Sequence, residues 1–144
     1  EPVMKFHPEL FFFTPLIAAM AGNVGVQSSA IIVQGLANNT IIGPVVERLL
    51  KELSLSLLNG IILSAILLLG SYFLLGYEIH VGYTVSIALL SVIIMASLIG
   101  TFIPIILNKY GVDPALATGP FITTSNDILG ILTYFTIAKI ILGI

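Results

Sequence analysis

The chain has 144 residues, of which 58% are hydrophobic and 8% charged, with a net charge of −2 and no cysteine. A soluble domain carries about a quarter charged residues, so this composition cannot cover a water-facing surface and the chain reads as a membrane protein. The missing cysteines exclude disulfides and thiolate metal sites, and so small a net charge gives no footing for a nucleic-acid partner.

The mean hydropathy of +1.14 is gathered into long charge-free runs. A spanning helix needs about 20 mostly apolar residues, and continuous runs of this length fit helices rather than alternating barrel strands. The first predicted span covers residues 9–37 and carries an unusual centre, "AGNVGVQSSA" at 21–30, where small and amide side chains replace bulk. Next comes "NNTIIGPVVERLLKEL" (38–53), whose Glu47, Arg48, Lys51 and Glu52 suggest a short amphipathic helix over about 43–52 lying in the membrane interface. The second span is expected over 53–75, followed by a glycine-bounded turn in "GYEIHVGY" (76–83), and the third over 82–107. "NKYGVDP" (108–114) supplies Gly111 as a helix C-terminal cap, then Asp113 as N-cap and Pro114 as the first residue of a span over 114–142. The fold class is therefore an all-α polytopic transmembrane bundle, with residues 1–144 forming one membrane domain. The chain begins with Glu1 and no cleavable signal precedes the apolar runs, so it reads as a piece of a longer or processed protein.

Orientation follows from the basic residues. Arg48, Lys51 and Lys109 fall on one side, against Lys5 and Lys139 on the other. Positive charge marks the cytoplasm, so both ends of the chain are expected to face outward from a plasma (inner) membrane.

Two spans carry chemistry. On the first, Asn23, Gln27 and Gln34 lie within about 40° of one another at 100° per residue, with Gly22, Gly25, Ser28 and Ser29 removing bulk around them. Such residues can pack helices closely in lipid, or their carbonyls can line a polar path at membrane depth. On the fourth, Asp127 sits mid-span, where a carboxylate costs about 3 kcal/mol and is a functional candidate by default. Gly119, Thr123, Gly130 and Tyr134 share its face to within about 80°. His7 and His80 fall at helix ends and read as interfacial.

All candidate ligands are oxygens (Asp127, the amides of Asn23, Gln27 and Asn126, hydroxyls, carbonyls and water), which suits hard cations and not zinc or copper. One carboxylate offsets half of a divalent charge, and a two-fold homodimer would bring two to one axis. Three functions fit: a path for a hydrated cation, a Na⁺- or H⁺-coupled carrier, or an assembly subunit whose polar residues only join helices. No span holds a nucleophile–base pair or a histidine cluster, so an enzyme is not expected.

The segments "PLIAAMAGNVGVQSSAIIVQGLA" (15–37) and "GVDPALATGPFITTSNDILGILTYFTIAKIIL" (111–142) resemble the two signature stretches of the MgtE family of magnesium transporters and channels, itself similar to a group of animal solute carriers. The resemblance implies five spans per subunit, of which this chain supplies the second to fifth. It also implies a homodimer with the ion path on its axis, and cytosolic sensor domains preceding the first span, which this chain lacks. Mg²⁺ is the cargo so implied, with Mn²⁺ or Ca²⁺ as other ions of the right chemistry. Asp127 matches the family's ion-selective aspartate, with Gly119, Thr123 and Asn126 near the hydrated ion, and Gly22, Asn23, Gly25 and Gln27 match an element beside the pore, with Gly130 taken as a further lining position. The chain departs from the pattern at Ala21, often glycine in the family, and at Gln34, often arginine.

Overall fold

The computed structural model describes residues 7–41 and 43–143. Four long helices, α1 (Glu9–Ala37), α2 (Val45–Leu69), α3 (Ile79–Lys109) and α4 (Pro120–Leu142), make up the fold, and no strand occurs among the described residues. All four are long and apolar enough to cross a membrane once α2 is taken on to Phe73 and α4 is counted from Pro114. Lys5, used in the charge argument, lies outside the described residues.

The separate interfacial helix expected over 43–52 is absent as an element of its own. Gly43 (φ +109°) and Pro44 turn the chain, and α2 then runs unbroken from Val45 through the charged turns into the apolar span. The charges do not break the helix because they are satisfied along it. Lys51 reaches Glu47 at 3.0 Å and Arg48 approaches Glu52 at 3.8 Å, both at i,i+4 spacing. The far end of α2 opens into a π-turn over Gly70–Leu74, and only the four residues 75–78 then separate it from α3, so the turn expected over 76–83 is shorter than anticipated.

Helix ends obey the sequence's punctuation. At the end of α3, Gly111 takes φ +73°, its N–H donates to the Asn108 carbonyl, and Val112 N–H donates to Leu107. These are the paired bonds of a Schellman cap. Asp113 caps a single 3₁₀ turn, Pro114–Ala117, rather than a full helix, by accepting from Ala115 N–H at 2.9 Å. The chain bends at Thr118 and Gly119 before α4 begins, so the fourth span is a broken one. Gly119 has φ +64° and ψ −135°, a conformation that only glycine adopts at low cost.

The third helix is the hub. It packs against each of the other three, and half of its most apolar stretch is buried, against 39% for α1 and less for α2 and α4. One core joins Leu10, Phe13 and Ile17 of α1 to Val85, Leu89 and Val92 of α3 and to Tyr134 and Ala138 of α4. Between helices in lipid, close backbone approach replaces the hydrophobic drive, and small residues mark every contact. Gly100 on α3 sits directly on the Gly25 carbonyl of α1. The buried side of α2 is Glu52, Ser56, Gly60 and Ser64, a strict i,i+4 stripe, with Ser56 hydrogen-bonded to Ser97 of α3. The large side chains of α2 (Leu55, Leu58, Ile61, Ile62, Ile66) point outward, as a lipid-facing surface requires.

Candidate functional site

Antiparallel pairing of α1 with α4 builds the surroundings of Asp127. Tyr134 donates its hydroxyl to the Leu10 carbonyl at 2.8 Å near one end, and Ser29 donates to the Ala117 carbonyl at 2.6 Å near the other. Between these clamps the contact is made of small residues. Gly130 lies on Ala21, so closely that an added Cβ would stand 2.7 Å from the alanine methyl. Gly22 faces Asp127 itself, and a Cβ there would meet its Oδ1 at 2.6 Å and the Thr123 methyl at 3.2 Å. Asp127 is half-buried and takes part in no ion pair among the described residues. Its own helix gives it a column of oxygens: Gly119, Thr123 and Asp127 succeed one another at i,i+4 steps, and Thr123 donates its hydroxyl to the Gly119 carbonyl at 3.0 Å.

Other sequence candidates lie elsewhere. Asn126 is fully buried and packs on Gly25, with both atoms of its amide unpartnered, so it does not share the face of Asp127. Successive helical residues stand 100° apart, and one of the two must turn inward. Asn23 is exposed on the open side of α1, and Gly22, not Asn23, is the α1 residue that meets Asp127. Gln27, also exposed, borders a cavity on the α2 side. Gly22, Gly25 and Gly130, expected as lining residues, are points of helix contact. They bring α1, α3 and α4 together and leave the oxygens to Asp127 and its column.

A buried carboxylate elsewhere in the fold is not apparent from the sequence. Glu52, expected in the interface, is 7% exposed and accepts from the Ser28 hydroxyl at 2.8 Å. The signal that could have found it is its spacing from Ser56, Gly60 and Ser64 along one helix face.

Among the described residues no group of three or more His, Cys, Asp or Glu converges. A cation at Asp127 would thus meet one carboxylate from this chain and otherwise neutral oxygens or water, a donor set for a hard ion.

A family model described as the divalent cation transporter MgtE matches residues 14–137. The chain is 39% identical over 139 residues to the magnesium transporter MgtE of Bacillus subtilis, covering 96% of this chain and 31% of the relative. It is 33% identical over 143 residues to that of Thermus thermophilus (99% and 31%), and 36% over 133 residues to that of Enterococcus faecalis (90% and 29%). The chain thus spans less than a third of the length of the curated relatives it matches.

Proposed function

The chain belongs to the MgtE family of divalent cation transporters, and from that premise we propose that it forms a membrane path for hydrated Mg²⁺ with Asp127 as the group that selects the ion. The relatives named as magnesium transporters support the cargo. The observation that carries the role of Asp127 is its setting: a carboxylate in a spanning helix, opposite a glycine and, among the described residues, without a basic partner. A charge kept at such depth without internal compensation is a cost to the fold, and an ion offsets it.

Mg²⁺ gives up its water reluctantly. Asp127 therefore acts through the ion's water shell, with the Thr123 hydroxyl and Gly119 carbonyl one and two turns away as further acceptors. Two copies of Asp127 across a homodimer axis would balance the divalent charge, which one copy cannot. Both ends of the chain face outward in this reading, the cytosolic side carrying Arg48, Lys51 and Lys109. Sensor domains, if the parent protein has those of its family, lie beyond this domain and regulate it.

The test is thermal stability during Mg²⁺ titration, with Ca²⁺ and Na⁺ as controls. An ion that binds the folded state raises stability by RT ln(1 + [L]/Kd), about 2.7 kcal/mol at a hundred times Kd. Wild type should show the rise and Asp127→Asn should not. Equal curves would leave Asp127 as a helix-joining residue.

A further inference from the structure

Behind α1, on the side away from Asp127, lies a cavity of about 270 Å³ between α1, α2 and α3. Half of its lining is apolar, and the other half is six oxygen-bearing side chains from three helices: Gln27 and Ser28 of α1, Glu52, Ser56 and Asn59 of α2, and Ser97 of α3. No nitrogen base or sulfur is among its lining residues. The carboxylate in it is under-used. Ionised, Glu52 has about four acceptor sites, yet it receives one hydroxyl, from Ser28 at 2.8 Å, and a guanidinium no nearer than 3.8 Å. That guanidinium, on Arg48, borders a different cavity next to the α1–α2 turn and not this one. Among the described residues no other charged residue lines the Glu52 cavity.

We infer that this cavity is a second cation site, distinct from Asp127, which takes a hard cation together with part of its water. The chemistry selects the class: one carboxylate and neutral hydroxyl and amide oxygens are the ligands of Mg²⁺, Mn²⁺, Ca²⁺ or Na⁺, and unsuited to softer metals. The size allows hydration, since a space of about 270 Å³ admits an ion together with several waters. Arg48 behind Glu52 offsets part of the charge, so the site binds more weakly than Asp127 and exchanges its ion more readily. Glu52, Ser56 and Asn59, spaced i,i+4,i+7, open the cavity along α2, while Gln27 stands where it meets the exposed face of α1.

Mn²⁺ serves as the probe, counted by electron paramagnetic resonance on the purified protein in detergent. The count is made in wild type and in the Asp127→Asn background, so the reading of Asp127 can fail without touching this one. Glu52→Gln should remove about one Mn²⁺ per chain in either background. Asn59→Leu should do the same by filling the cavity while leaving the Ser28–Glu52 bond and Arg48 in place. Because Asn59 and Gln27 are exposed, their substitution spares the packing if Glu52→Gln does not fold. Gln27→Ala should weaken the site at least tenfold. Excess Na⁺ displacing the same Mn²⁺ would assign the site to monovalent ions in a sodium-rich medium, and failure of Na⁺ to compete assigns it to divalent ions. An unchanged Mn²⁺ count in folded Asn59→Leu overturns the inference.

Discussion

Asp127 of α4 and Glu52 of α2 meet α1 from different sides, and the chain holds the two carboxylates in different ways. Glu52 is given a hydroxyl from α1 and a guanidinium one turn back on its own helix. Asp127 is given Gly22, a residue with nothing to offer. A buried charge with partners contributes to the order of the contact it sits in, and removing one partner exposes the cost of the other. A half-buried carboxylate opposite a glycine gains nothing of that kind from its neighbour. The comparison predicts different responses: loss of a partner of Glu52 should register in folding as well as in ion binding, and changes at Asp127 mainly in ion movement.

The largest effect should come from forcing the two kinds of contact to look alike. Gly22→Val places side-chain atoms where Asp127 Oδ1 and the Thr123 methyl already stand, so the Asp127 carboxylate must be displaced or α1 and α4 must part. Overpacking of this sort costs about 1–3 kcal/mol, and both the denaturation midpoint and Mg²⁺ uptake should fall. A folded Gly22→Val protein with normal uptake would mean that the tight crossing is irrelevant to the path. Next is Ser28→Ala, which takes from Glu52 its one close donor. A hydrogen bond to a charged group contributes about 1.5–3 kcal/mol, so the unfolding midpoint should drop while Mg²⁺ dependence at Asp127 persists. The smallest effect is expected at Asn126. Its amide is buried and unpartnered, so Asn126→Ala removes a liability along with some packing, and stability should change by less than about 1 kcal/mol. Loss of the Mg²⁺ response in that variant would show that Asn126 reaches the ion after all, and the distinction drawn between neighbouring residues 126 and 127 would collapse.

Much of this is legible in the sequence because it depends on local patterns. Hydropathy places four spans, Gly111 and Asp113 mark the boundary between the third and fourth, and a lone aspartate in an apolar run stands out by its cost. The rest depends on which helix meets which. Periodicity puts Asn23 and Gln27 on one face of α1 but cannot say that α4 settles against the neighbouring face, where Gly22 and Gly25 let it approach. Nor can it place Glu52. Read along the chain, its charge ends an interfacial stretch, and only the pairing with Ser28, 24 positions earlier, brings it inside. Glycines here announce contact, and the pattern alone does not tell contact from cavity.

The central claim is that Asp127 selects the ion, and Mg²⁺ uptake into proteoliposomes tests it most directly. Protein with and without Asp127→Asn is reconstituted, and entry of Mg²⁺ is monitored with an indicator trapped inside. Asparagine keeps the shape and removes the charge, so the variant should fold as well as wild type and lose most of its uptake. Uptake that continues at the wild-type rate in a folded Asp127→Asn protein would contradict the account.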